Sequence, residues 1–169
     1  MTVATMQQQL RASGLNESTE IGPYLSKLCD SLAKSMIGDR PLFIRVQATS
    51  GSGTSSEAVS LGLIVIELVI NALKHAFPGG EAGEILVIYD AEGPGWTLSI
   101  SDNGTGAVDV TAERPHTGLG TSIVEALARQ LGATVAKSSG SEGTTVLIVA
   151  SAPSGDAGGD LALERIPPQ

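Results

Sequence analysis

Apolar residues at three- and four-residue spacing mark the first clear element. Ile21, Leu25, Leu28, Leu32 and Met36 predict one buried face of a helix running to about Ile37, with Ser18 or Thr19 as its cap and Pro23 in its first turn. The turn Gly38-Asp39-Arg40-Pro41 follows, and Leu42 to Ala48 alternates loosely, as a strand does. A Gly/Ser loop from Thr49 to Ser56 leads into a long helix, capped by Ser55 or Ser56 and stopped near Ala76 by Pro78-Gly79-Gly80. Ile85 to Asp90 and Trp96 to Ser101 flank Glu92-Gly93-Pro94-Gly95 and predict a hairpin. Asp102 to Thr117 is a polar loop. Leu119 to Leu131 reads as a helix closed by Gly132, and Thr134 to Ser138 and Thr145 to Ala150 read as the last strands.

The order is helix, strand, helix, hairpin, helix, hairpin. Strands and helices do not alternate throughout, which argues against a doubly wound parallel sheet. An α+β two-layer sandwich fits better, with about three helices on one face of a mixed, mainly antiparallel sheet. Residues 1–15 are polar and read as an N-terminal helix or the end of a longer one. Residues 16–150 form the domain, and the Pro-, Gly- and Asp-rich residues 151–169 read as a disordered tail.

Composition narrows the function classes. The chain has 169 residues, enough for one domain with a sizeable core, and only 3% of them are aromatic, so that core must be built from Val, Ile, Leu and Ala. A net charge of −8 excludes nucleic-acid binding through a basic face. Any phosphate must be gripped locally by backbone N–H groups, a metal and one or two cations. The lone Cys29 cannot form an internal disulfide, and residues 1–13 lack the apolar run of a signal peptide, so a cytoplasmic setting is expected. The longest apolar stretch, Ala58 to Ile70, is broken by Ser60 and Glu67 and reads as too short to span a membrane, so no membrane contact is expected from this segment.

The helix from Glu57 to Ala76 is apolar nearly all round and should be buried. Glu67, Asn71, Lys74 and His75 interrupt it. At about 100° per residue these four share roughly a third of the circumference. A carboxylate, a carboxamide, an ammonium and an imidazole on one buried stripe must meet one another, a ligand or a wet cleft. The Asn71 carboxamide oxygen is a hard ligand suited to Mg2+, which also takes phosphate oxygens and water. Glu67 could orient or deprotonate a nucleophile or hold a metal-bound water, and Lys74 and His75 could meet phosphate oxygens. The bland alternative is a Glu67–Lys74 ion pair, with Asn71 capping a neighbouring loop.

Two glycine loops extend the pattern. Asp102-Asn103-Gly104-Thr105-Gly106 follows a strand, and a carboxylate there can accept from a base's exocyclic amino group, which would read adenine; an ordinary Asp-Asn-Gly turn is the alternative. Thr117-Gly118-Leu119-Gly120-Thr121 opens a helix, whose free N–H groups and positive dipole end suit a phosphate; a plain Gly-rich N-cap is the alternative. The spacing matches neither a Walker A loop nor a dinucleotide fingerprint. Between the loops, Ala107 to His116, with Arg114, could form a lid. Thr144, in Gly143-Thr144-Thr145, offers a hydroxyl that could support Asp102 or a water on the base, or is simply a threonine at a strand start.

In this order the residues resemble the ATP-binding catalytic domain of sensor histidine kinases, within the GHKL-type ATPase group that includes gyrase B and Hsp90. Glu67 to Ala76 is similar to the N box, Asp102 to Gly106 to the G1 box, and Gly118 to Thr121 to the G2 box; Gly143-Thr144 matches the threonine motif near adenine. The resemblance covers about residues 20–150. It implies bound ATP and Mg2+ and transfer of the γ-phosphate to a histidine. Asn71 would hold Mg2+, Glu67 would be the base or polarising group, Asp102 would read adenine, and the glycines would flank lid and phosphates. His75 after the N-box lysine, the short lid and the lack of a phenylalanine-rich F box resemble a subgroup allied to HWE kinases. The Trp-x-Glu signature of that group is missing, because Trp96 is followed by Thr97 and Leu98. The only histidines, His75 and His116, do not look like phosphoacceptors. The implied partners are a histidine-bearing dimerisation domain and a response regulator. An anti-sigma-factor-type serine kinase of the same fold and a non-catalytic phosphotransfer or interaction module are the rival readings.

Overall fold

Alternation along the central strands sorts their side chains onto two faces. In the computed structural model, which describes residues 18–105 and 119–151, the strands are β1 (Ser18–Glu20), β2 (Leu42–Ala48), β3 (Ser52–Thr54), β4 (Gly83–Asp90), β5 (Trp96–Asp102), β6 (Ala133–Gly140) and β7 (Gly143–Ala150). The helices are α1 (Ile21–Met36), α2 (Ser55–His75) and α3 (Leu119–Gln130). The five-stranded sheet runs β2-β4-β5-β7-β6; β2 and β4 are parallel, and every other pair is antiparallel. Ile85, Val87 and Tyr89 of β4, Leu98 and Ile100 of β5, and Val146, Ile148 and Ala150 of β7 are buried on one face. All but Ala150 form one core with Ile21, Leu25 and Cys29 of α1, Ile64, Val65 and Val69 of α2, and Val124 and Ala128 of α3. Each fully buried Leu or Ile in this layer contributes about 1.5–3 kcal/mol. The opposite face carries the Arg45–Glu84 ion pair at 3.4 Å and Phe43, which is 70% exposed. The expected two-layer sandwich is the observed one. The segments at residues 1–15 and 152–169 and the lid at 107–116 lie outside the described residues.

The structure corrects the reading of the chain at several places. Ser18 and Thr19 do not cap α1. They lie in β1, which pairs antiparallel with β3, so part of the expected Gly/Ser loop is also strand. Glu20 occupies the cap position without a side-chain bond, and Gly51 accepts from the Ile21 N–H at 3.0 Å instead. At the start of α2 the cap is Thr54, not Ser55 or Ser56. Its hydroxyl accepts from the Glu57 N–H at 3.1 Å, and the Glu57 carboxylate accepts from the Thr54 N–H at 2.8 Å, a reciprocal capping box. Met36, the last residue of the expected apolar face of α1, is exposed, and the residue buried at that end is its neighbour Ile37.

α2 is also not buried all round. It lies between α1 and α3, and Val59 and Leu63 on its outward side are 52% and 44% exposed. By length and composition alone α2 could cross a membrane, contrary to the expectation from its interrupted apolar run; half of its most apolar window is buried inside the domain.

Candidate functional site

The C-terminal end of α2 and the end of β5 meet. Gly104 makes this possible: a Cβ there would run into the carbonyl and side chain of Ala76, the residue that caps α2. Thr105 then donates to the Ala76 carbonyl through its N–H at 3.1 Å and approaches the same oxygen through its hydroxyl at 3.4 Å. A helix end leaves its last carbonyls without intrahelical donors, and the loop after β5 supplies donors to one of them. Asn103 extends the sheet by one more rung. Its N–H donates to the Glu84 carbonyl at 3.3 Å, and its Oδ1 accepts from the Glu84 N–H at 2.8 Å.

Asp102 sits in the same strand parity as the buried Leu98 and Ile100, so it lies on the helix-facing side of the sheet. Its Oδ1 accepts from the Gly104 N–H at 3.1 Å and from the Thr144 N–H at 3.3 Å. Gly143 has φ of +125°, and a Cβ on it would strike the Asp102 carbonyl. Both glycines are therefore steric requirements of the loop. Thr144 supports Asp102 through its backbone N–H and not through its hydroxyl, which shares a hydrogen bond with the Ser139 hydroxyl at 3.1 Å. Pairing with β5 aims that N–H at the carboxylate, whereas the side chain turns toward β6.

Glu67 and Asn71 are half-buried on α2, one turn apart, and Lys74 and His75 are exposed in its last turn. The alternative Glu67–Lys74 pair is not formed; Arg45–Glu84 is the ion pair among the described residues. No group of three or more His, Cys, Asp or Glu able to hold a metal occurs among the described residues. Leu119 and Gly120 form the first turn of α3 with Thr121, whose side chain, like theirs, lies outside the described residues. Gly106, Thr117 and Gly118 also lie outside them, as do Arg114 and His116. The structure thus brings Asp102, Gly104 and Thr144 together and sets them against the helix end that carries Asn71, Lys74 and His75. Sequence reasoning passed over Asn103, whose place between Asp and Gly was the available signal, and Thr105, which carried none.

Comparison with known proteins finds relatives over most of the chain. A blue-light-activated histidine kinase 2 from Erythrobacter litoralis is 28% identical over 147 residues, covering 83% of this chain and 42% of that protein. The solved histidine kinase domain of the Erythrobacter litoralis EL346 blue-light-activated kinase superposes with a TM-score of 0.69 at 28% identity, over 78% of this chain and 64% of that one. The serine-protein kinase RsbW of Listeria innocua is 44% identical over 57 residues, which is 33% of this chain and 36% of that protein. The chain therefore spans less than half the length of the curated relatives it matches. Residues 56–154, more than half of the chain, match the family model of histidine kinase-, DNA gyrase B- and HSP90-like ATPases. That stretch takes in α2, the β5 loop and the β6–β7 hairpin, and the chain belongs to this ATPase family.

Proposed function

We propose that this chain is the Mg-ATP-binding catalytic part of a two-component sensor histidine kinase, and that it transfers the γ-phosphate to a histidine outside the chain in a cytoplasmic setting. The observation that carries the reading is the Asp102 carboxylate, fixed through Oδ1 by two backbone N–H groups. Its second oxygen would accept from the 6-amino group of adenine, at the position where guanine carries a carbonyl.

The donor set on α2 fits a hard cation bound mainly through phosphates. One carboxamide, Asn71, would ligate Mg2+, with Glu67 beside it, and phosphate oxygens and water would complete the shell. When bound, the metal would neutralise charge on the phosphates. The exposed Lys74 and His75 would meet phosphate oxygens at the helix end, and the N-terminal turn of α3, with Thr117, Gly118, Leu119, Gly120 and Thr121, would supply N–H groups. Gly106 would leave room at the start of the lid. Glu67 would orient the attacking imidazole or take its proton as the P–O bond to ADP breaks and a P–N bond forms. The partners are a histidine-bearing dimerisation domain and a response regulator.

The match to RsbW favours a second reading, a serine kinase with the same nucleotide site. Incubation with γ-labelled ATP and either a histidine-bearing dimerisation domain or a serine-bearing protein substrate distinguishes the two. An acid-labile, base-stable label on the first supports the histidine kinase, and an acid-stable label on the second supports the serine kinase. Calorimetric titration tests both, and failure to bind Mg-ATP at millimolar concentration rejects the site.

A further inference from the structure

α2 stops at His75, so the Leu73 carbonyl is among those that a helix end leaves without a certain intrahelical donor. A guanidinium nitrogen of Arg40 donates to it at 3.1 Å, in a partly buried bond spanning 33 residues of sequence. Arg40 is itself held on both sides. Its N–H donates to the Ile37 carbonyl at 3.2 Å, its carbonyl accepts from the Leu42 N–H at 2.8 Å, and the next carbonyl, Pro41, accepts from the Gly83 N–H at 3.1 Å. The guanidinium is thus delivered from a turn fixed to the sheet, and its positive charge lies at the negative end of the helix dipole.

Two external donors consequently grip the last turn of α2: Arg40 at Leu73, and Thr105 at Ala76. Between those carbonyls lie Lys74 and His75, and Asn71 is two residues before Leu73. The Thr105 grip belongs to the loop that carries Asp102. The Arg40 grip is independent of that loop and acts on the helix alone.

We infer that Arg40, outside every motif that marks the nucleotide site, is a positioning residue for the metal- and phosphate-binding half of that site and not for its base-binding half. This rests on the ATP-site reading above. Arg40→Met keeps the aliphatic stem and removes the charged donor; Arg40→Lys keeps the charge with a single-point donor. Loss of a charged hydrogen bond at this turn is expected to weaken Mg-ATP binding by about tenfold in Arg40→Met, with Arg40→Lys intermediate. Adenosine affinity, followed by NMR titration, should stay within about twofold, because the Asp102 network is untouched. Amide exchange of residues 73–76 should accelerate in Arg40→Met while that of β5 does not. Unchanged Mg-ATP affinity in Arg40→Met overturns the proposal, as does an equal loss for adenosine and Mg-ATP, including the loss that misfolding would give. Failure of the unaltered chain to bind Mg-ATP overturns the ATP-site reading instead.

Discussion

The Thr144 N–H donates to Asp102 Oδ1 at 3.3 Å across 42 residues of sequence, so the strand that opens at Gly143 holds the carboxylate that closes β5. Replacing Asp102 with Asn preserves an acceptor for the Gly104 and Thr144 N–H groups if the amide oxygen takes the Oδ1 position. The second position then becomes a donor, which faces an adenine amino group donor to donor. Asp102→Asn is expected to fold and to lose ATP affinity by about tenfold or more, with the preference for ATP over GTP removed. Calorimetry with both nucleotides checks this, and a retained ATP preference rejects the assigned role.

Two substitutions on the polar face of α2 should separate binding from transfer. Asn71→Ala should remove most of the difference between ATP affinity in Mg2+ and in EDTA. Glu67→Gln should change ATP affinity little while slowing phosphoryl transfer by about a hundredfold, the scale of a lost general base. Paired binding and transfer assays on the two variants check the division. Equal losses in both assays for Glu67→Gln would assign it to binding.

Gly104 and Gly143 differ sharply from glycines in open space. A methyl group at 104 meets the Ala76 carbonyl, and one at 143 meets the Asp102 carbonyl at φ of +125°. Either alanine substitution should cost about 2 kcal/mol or more, read from urea denaturation. Gly93→Ala and Gly140→Ala, with no heavy atom within 4 Å of the added carbon, should lie within about 0.5 kcal/mol of the unaltered protein.

At the far end of α2, Thr54→Ala removes one half of the capping box and should destabilise by about 1 kcal/mol. ATP affinity should be unaffected, because the cap is more than four helical turns from Asn71. A matched denaturation and calorimetry experiment would show the separation.

Burial, reinforced by the nearby Asp30 charge, pushes the Cys29 thiol from 9.0 up to about 11. The folded state therefore keeps its proton where the unfolded chain has lost it. This contribution to stability is complete below pH 9 and disappears as pH rises from 9 through 11. Denaturation midpoints should fall across that window in the unaltered protein and fall less in Cys29→Ala. At pH 8 a thiol reagent should modify the native protein slowly and the urea-unfolded chain fast.

Much of this was legible in the chain. The spacing of Ile21, Leu25, Leu28 and Leu32 and the Glu92–Gly95 turn identified α1 and the β4–β5 hairpin because burial and turn chemistry are local signals. The caps were not: Ser55 and Ser56 offer the same hydroxyl as the true cap, Thr54, and only the placement of Glu57 relative to the first turn chooses among the three. The β1–β3 ribbon pairs Ser18–Glu20 with Ser52–Thr54, two polar segments without alternation, and so leaves no periodic trace. Exposure of Val59 and Leu63 follows from α1 and α3 flanking α2 without covering it, which composition cannot reveal. The positions of Asp102 and Asn71 were evident as residue types; the backbone donors that hold Asp102 depend on register between β5 and β7.

That register also governs the order of assembly. β7 lies inside the sheet, between β5 and β6, although it is the last of the described strands in sequence. During synthesis the helices and the β4–β5 hairpin emerge first, but β5 has an unpaired edge and Asp102 lacks its Thr144 donor until residues 143–150 leave the ribosome. A nascent chain that ends before β7 holds the Asp102 carboxylate through the Gly104 N–H alone, and the second backbone donor arrives only when β7 pairs with β5.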